Sequence, residues 1–139
     1  MTAIHPRLHT PPLSDSSDSL LRFALRVDGT LCSLAGLLIT FTADPLSRLS
    51  GLSATSEWIA GAALVGWGFV LYLLAAIPAI RRVGTGVLIG NVVATVAAVA
   101  ALASGVLPLT AAGNAMVVGI IAVGLGCAWL QYLGVRRLV

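Results

Sequence analysis

The sequence predicts an all-α polytopic membrane protein: an antiparallel bundle of four transmembrane helices with a short helix on the outer membrane interface. Of its 139 residues, 58% are hydrophobic and 9% are charged, whereas a soluble domain carries roughly a quarter charged residues. The long apolar segments lack the polar face that a surface helix in water shows every 3.6 residues. The basic residues are all arginines and lie in short groups between those segments, which is typical of a multi-pass membrane protein.

The chain divides into a polar tail and one apolar domain. Residues 1–19 are rich in Pro, Ser, Thr and Asp and have no apolar period. Such a segment cannot recover the entropy lost on ordering, so we predict a disordered cytoplasmic tail. Residues 20–139 form the predicted transmembrane domain. Its first helix is predicted over about 22–43, with an interfacial turn from Leu20, and Pro45 ends it.

Three further segments are long enough to cross a bilayer, because about twenty residues at 1.5 Å each span its ~30 Å hydrocarbon layer. Thr55 or Ser56 suits the N-cap of the second helix, and Pro78 follows its end. These helices are predicted over about 57–77, 84–104 and 113–134.

The connection between the first two helices has its own helical pattern. Asp44 suits a cap, Pro45 suits a first helical position and Gly51 suits a C-terminal stop. Leu46 and Leu49 would point to one side of such a turn. We therefore predict a short amphipathic helix on the outer interface.

The arginines predict the orientation of the bundle. Seven of them fall on one side of the four predicted crossings, and only Arg48 falls on the other. Cytoplasmic segments carry the excess of positive charge, so both termini are predicted to be cytoplasmic, in a bacterial inner membrane. The seven are Arg7, Arg22, Arg26, Arg81, Arg82, Arg136 and Arg137.

Small residues recur along one side of every predicted helix, which in lipid permits close helix packing. They pack the four helices together or, as an alternative, form a surface for another copy or another subunit. The predicted small-residue sides are Gly29, Ser33, Gly36 and Thr40; Ala62 and Gly66; Gly86, Gly90, Ala94 and Ala98; and Ala115, Gly119, Ala122 and Gly126.

Four polar residues reach a similar predicted depth in the inner leaflet and form the candidate site: Asp28, Tyr72, Asn91 and Gln131. In the functional interpretation, Asp28 is a protonatable carboxylate and the other three contact substrate or water. In the structural interpretation, Asp28 pairs with an arginine at the headgroups (Arg26, Arg82 or Arg136), while Asn91 and Gln131 join helices by hydrogen bonds.

Several classes of function lack support in the sequence. Nucleic-acid binding would need a basic stripe with interleaved aromatic residues, and none is found. A structural zinc needs about four ligands, so neither a metal nor any other cofactor is expected. Cys32 and Cys127 lack the spacing of a redox pair, and no set of catalytic residues is present, which disfavours an enzyme.

Five short motifs resemble those of small four-helix integral membrane proteins of actinobacterial type, whose activity is uncharacterised. This chain has Ala94 where such proteins often carry tryptophan. The layout also resembles, more weakly, DoxX-like proteins. The motifs are Arg26-Val27-Asp28-Gly29, Pro45-Leu46 with Leu49-x-Gly51-Leu52, Asn91, Leu130-Gln131 and Gly134-Val135-Arg136-Arg137.

The leading functional hypothesis is a non-enzymatic protein that works by association in the lipid bilayer. It would be an accessory subunit of a larger membrane complex or a self-associating homo-oligomer. The alternative is a small proton-coupled transporter that uses Asp28. A third hypothesis, a lipid- or quinone-modifying enzyme, would require a partner to supply its cofactors.

Overall fold

The computed structural model describes residues 15–138 and, within that range, contains five helices and no strand. Four of the helices are long and apolar enough to cross a membrane. The chain is therefore an all-α, multi-pass membrane protein, and the predicted fold class is confirmed. The helices are α1 (Asp15–Phe41), α2 (Ala43–Ser50), α3 (Ala54–Leu74), α4 (Ile80–Ser104) and α5 (Ala111–Arg136).

The first helix begins seven residues before the predicted start at residue 22. Its extra turns are rich in Ser and Asp, which are favourable near a helix N-terminus, and Asp18 pairs with Arg22 one turn later at 3.6 Å. The last five residues of the predicted tail, 15–19, are thus part of α1. The rest of that tail, including Arg7, lies outside the described residues.

The short α2 is present where the sequence predicted a helix between the first two spans. Gly51 ends it in a left-handed conformation, with φ +87°, as its predicted role as a stop requires. The predicted start is wrong by two residues. Thr42 occupies the N-cap position without a capping side chain, and Asp44 lies in the first turn.

The third helix starts and ends about three residues before its predicted bounds. Ser53 is the N-cap and accepts a hydrogen bond from the Ser56 backbone N–H at 3.1 Å, so the predicted caps Thr55 and Ser56 are wrong. The helix ends at Leu74, ahead of Pro78. Beyond its end, the Arg22 guanidinium donates to the carbonyls of Ala75 (2.6 Å) and Ile77 (3.2 Å), which satisfies groups that a helix end leaves free.

The last two spans are also longer than predicted. α4 begins at Ile80 instead of residue 84, so Arg81 and Arg82 lie in its first turn. α5 starts after Thr110, whose hydroxyl accepts from the Gly113 N–H at 3.0 Å. With this side-chain cap, α5 begins two residues before its predicted start at residue 113.

α1 is the central helix of the bundle. It packs against α3 on one side and α5 on another, while α4 packs mainly against α5. The four long helices run alternately up and down, so their arginines, Arg22, Arg81, Arg82 and Arg136, collect at one end, which we call the arginine end. The opposite end, where α2 lies, we call the α2 end.

Glycines bring the backbones of α1 and α3 into direct contact. A methyl group added to Gly36 would lie 2.5 Å from the Gly61 carbonyl oxygen, and one added to Gly29 would lie 2.8 Å from that of Gly68. The predicted small-residue side of α1 therefore faces α3. On α3 the prediction is wrong, because Gly61 and Gly68 form the contact, whereas Gly66 has no neighbour within 4 Å.

The predicted small-residue sides of α4 and α5 do not pack inside the bundle. Gly86 and Gly90 of α4, and Gly119 and Gly126 of α5, have no neighbour within 4 Å of an added methyl group. These helices contact the rest of the protein through other glycines. At the arginine end, Leu21 of α1 lies between Gly84 and Gly134, 2.6 and 2.8 Å from their added methyl groups.

The largest apolar core lies at the arginine end. It joins α1, α3 and α4, and the partly buried Val135 of α5 packs against it. The cluster lies directly beneath the polar residues described next. Its buried members are Leu21, Leu25, Leu71, Ala75, Ile80 and Val87.

Candidate functional site

Three of the four predicted site residues meet one turn above the core. Asp28 comes from α1, Asn91 from α4 and Gln131 from α5. Asp28 is 5% exposed and Gln131 is completely buried. We call this group the polar triad. It is the point at which one polar side chain from each of three transmembrane helices meets inside the bundle.

The hydrogen bonds of the polar triad form a closed set. Gln131 Nε2 donates to Asp28 Oδ2 at 2.7 Å, and Asn91 Nδ2 donates to the same oxygen at 3.1 Å. Asn91 Nδ2 also donates to Gln131 Oε1 at 3.0 Å. Within residues 15–138, no buried side-chain nitrogen or oxygen lacks a partner. The predicted role of Asn91 and Gln131 as links between helices is therefore observed.

The two cysteines lie beside the same carboxyl group. Cys32, one turn along α1, donates its thiol to Asp28 Oδ1 at 3.5 Å. Cys127, one turn before Gln131 on α5, is buried and close enough to interact with Asp28 as well. Both thiols are free. They complete the surroundings of Asp28 on the side that the two amides leave open.

Tyr72 does not join the polar triad. It is 44% exposed, and its hydroxyl is hydrogen-bonded to Thr30 at 2.5 Å. The reason is angular, because successive residues of a helix are rotated by about 100°. Gly29 faces α3 and its Tyr72, whereas Asp28 faces α5 and its Gln131. The sequence predicted a similar depth in the membrane for Tyr72 and Gln131, but these two residues approach α1 from different sides.

No arginine pairs with Asp28 among the described residues, where the sole ion pair joins Arg22 and Asp18. The structural interpretation of Asp28 as an ion-pair partner of Arg26, Arg82 or Arg136 is therefore not what the bundle shows. All three arginines are exposed at the arginine end. A carboxyl group buried in a membrane bundle is held here by amides and thiols alone.

Asp28 also forms one end of an apolar groove of about 560 Å³. The groove runs between α1 and α5 towards the α2 end. Its sides include exposed Leu38, Ile120 and Val123, so it opens at the lateral surface of the bundle. Its lining is mainly aliphatic. Its residues from α1 are Asp28, Leu31, Cys32, Ala35, Leu38 and Ile39, and Thr42 lines it just beyond the end of that helix.

The groove lies between two close glycine contacts, which hold the two ends of α5 against the far side of the groove. At the α2 end, a methyl group on Gly113 would lie 2.3 Å from the Ser50 carbonyl oxygen, and at the arginine end Gly134 contacts Leu21. Between these contacts, Gly119 and Gly124 line the groove and have no neighbour within 4 Å. The missing side chains leave the space open.

A second buried acid, which the sequence analysis did not assign to a site, lies at the α2 end of the groove. Glu57 is 6% exposed and lines the groove with Ser50, whose hydroxyl donates to Glu57 Oε1 at 2.5 Å. The sequence alone could have identified Glu57 as a candidate site residue. The cost of an acid beside lipid, which singled out Asp28, applies equally to Glu57 at the start of its own span.

The described residues contain no group of three His, Cys, Asp or Glu side chains placed to hold a metal ion. The chemical capacity of the site lies in Asp28, an acceptor at the inner limit of an aliphatic space. Such a group can hold a proton or the cationic part of a bound molecule.

Comparison with protein-family models, with curated proteins and with solved structures finds no match to this chain. The resemblance to actinobacterial four-helix proteins and to DoxX-like proteins therefore remains a prediction.

Proposed function

We propose that this protein is a small membrane transporter that binds a lipid-soluble molecule in the groove between α1 and α5. Asp28 is the polar contact of that molecule. One observation carries the proposal: a carboxyl group only 5% exposed ends an aliphatic groove of about 560 Å³. Ligand sites typically combine an apolar volume of about 300–1,000 Å³ with a few polar groups.

Proton exchange at Asp28 would couple such binding to pH. The titratable groups that face it are the thiols of Cys32 on α1 and Cys127 on α5, while α4 contributes the neutral amide of Asn91. Because no arginine neutralises this acid within the described residues, its charge depends on a proton or a ligand. That property supports a coupling role.

The binding step is tested by purification in native lipids followed by mass spectrometry of the intact protein. Gly119→Leu fills the groove, whereas Gly126→Leu on the same helix adds the same side chain outside it. We expect a small molecule to accompany the wild type and Gly126→Leu but to be lost from Gly119→Leu. Retention by all three proteins, or absence from the wild type, would contradict binding in the groove.

The transport step is tested in proteoliposomes with the molecule so identified. We expect uptake by the wild type to change with the pH difference across the membrane and uptake by Asp28→Asn to lose that dependence. Asp44→Asn, which changes an exposed acid outside the groove, is the matched control. Wild-type rates and pH response in Asp28→Asn would rule out coupling through this residue.

Association with another subunit or a second copy is the other candidate function, and the exposed glycines of α4 favour it. Gly86 and Gly90 leave an open strip on a helix that contacts mainly α5, and small residues allow close helix packing in lipid. Gly90→Leu should reduce crosslinked oligomer in native membranes, whereas Val92→Leu on another side of α4 should not. Absence of oligomer in the wild type would dismiss this candidate.

We further propose that the arginine end faces the cytoplasm of a bacterial cell, with both termini there. The gathering of Arg22, Arg81, Arg82 and Arg136 at one end of the bundle supports it. Reporter fusions at the two termini should both give cytoplasmic signals. Signals from opposite sides of the membrane would contradict the orientation.

A further inference from the structure

Two acids line the groove, and they lie at its two ends. Asp28 belongs to the polar triad, and Glu57 lies beside Ser50 at the α2 end. No arginine lines the groove among the described residues. The cationic complement of both acids is therefore missing from the protein's own side chains.

We propose that the ligand of this groove is a lipophilic monovalent cation, whose charge has two alternative positions, one at Asp28 and one at Glu57. The proposal rests on the proposed binding function and specifies its ligand class. An aliphatic groove suits the apolar body of such an ion, and each buried carboxyl group suits its charge.

At the Asp28 position, one side of the carboxyl group faces only weak donors. Both amides donate to Oδ2, whereas the thiols of Cys32, at 3.5 Å from Oδ1, and of Cys127 lie on the other side. The amides fix the orientation of the carboxyl group without neutralising it. Since Asp28 also lines the groove, a cation in the groove has an oriented acid beside it.

At the Glu57 position, the carboxyl group is oriented in a comparable way. Ser50 donates one hydrogen bond to it, and Glu57 lies in the first turn of α3, where the helix dipole favours negative charge. Neighbouring Arg48 is exposed and does not line the groove. The second acid is thus stabilised by neutral groups, as Asp28 is.

The length of the groove separates the two positions. Asp28 and Ile39 both line it, and the eleven residues of α1 from one to the other correspond to about 16 Å. A compact ion therefore contacts one acid at a time. A cation in the groove supplies the positive charge that no described side chain lining it provides, whereas an anion or a neutral molecule supplies none.

The test compares two ions of nearly the same size and shape but opposite charge, tetraphenylphosphonium and tetraphenylborate. Binding to the wild-type protein in nanodiscs is measured after subtraction of partitioning into empty nanodiscs. We expect at least tenfold tighter binding of the phosphonium, and Gly119→Leu but not Gly126→Leu should abolish it.

Equal or tighter binding of the borate, blocked by Gly119→Leu, overturns the charge proposal and retains the groove function. Binding of neither ion above the lipid background overturns the charge proposal, and the mass-spectrometric test decides the groove function separately.

Acid substitutions assign the two positions. We expect Asp28→Asn to weaken phosphonium binding about tenfold and Glu57→Gln about threefold, while Asp44→Asn at the same end as Glu57 leaves it unchanged. Full affinity in Glu57→Gln overturns the second position, and full affinity in both acid variants overturns the proposal. The comparison of the two ions needs only the wild type, so it stands even where a variant fails to fold.

Discussion

The two sides of α1 are packed in different ways. Towards α3, glycines place backbone against backbone along much of the interface, through Gly29, Gly36, Gly61 and Gly68. Towards α5, close contact is confined to the two ends, and the middle is an open groove. Glycine therefore serves two opposite purposes: it permits close contact along α3 and at the two ends of α5, and it leaves space in the middle of α5.

The forces that hold the two sides also differ. The α1–α3 pair depends on dispersion between closely spaced atoms, which is a main source of helix association in lipid. The attachment of α4 and α5 depends on the core at the arginine end and on the hydrogen bonds of the polar triad. A variant that weakens the α1–α3 interface should therefore leave the attachment of α4 and α5 intact, and the reverse should also hold.

The largest expected effect comes from adding a methyl group to the tight side. Gly36→Ala should reduce the free energy of unfolding by about 2–3 kcal/mol, because the new atom meets the Gly61 carbonyl oxygen. Gly90→Ala, in open space, should be neutral or stabilising by up to about 1 kcal/mol through helix propensity. Unfolding by sodium dodecyl sulfate in mixed micelles measures both, and equal losses would refute the difference between the two sides.

The next effect concerns the attachment of α5. Gln131→Leu removes the shorter of the two amide hydrogen bonds to Asp28 and should cost about 2 kcal/mol. Hydrogen exchange should rise in α4 and α5 but not across the α1–α3 interface. Asn114→Leu changes an exposed amide of the same helix and should have little effect. A uniform rise in exchange would show that the two sides are not independent.

A smaller effect is expected at the end of α3. Arg22→Ala removes two hydrogen bonds to carbonyls beyond that helix and should cost about 1 kcal/mol. Faster hydrogen exchange should be confined to the last turn of α3. The exposed Arg26 provides the control variant Arg26→Ala, which should leave that turn unchanged; equal effects of the two would contradict a local role for Arg22.

The smallest effect is expected at Tyr72. Tyr72→Phe removes its hydrogen bond to Thr30 at the exposed edge of the α1–α3 side, with an expected cost of about 0.5 kcal/mol. Tyr132→Phe is the control variant and should leave the free energy of unfolding unchanged. If Tyr72→Phe instead weakened ligand binding in the groove, the placement of Tyr72 outside the polar triad would be wrong.

The fold class was predictable because hydropathy and arginine position are properties of whole segments. Helix ends were less predictable, since they depend on single caps such as Ser53 and on the helical start from Asp15, which composition alone assigned to a tail. The depth of Asp28, Asn91 and Gln131 followed from counting residues. Whether these three residues meet, and whether Tyr72 joins them, depends on which helix lies on which side of α1. The hydropathy of a segment carries no such angular information.

The contacts at the two ends of α5 limit how the groove can change. Leu21, held between Gly84 and Gly134, prevents α5 from sliding along α1, and Gly113 against Ser50 fixes the other end. About 31 Å of helix lies between these fixed points. Any widening must come from bending in the middle of α5, where its glycines lower helix propensity. The fixed ends therefore allow a change in the width of the lateral entrance but not in the distance between the two acidic ends.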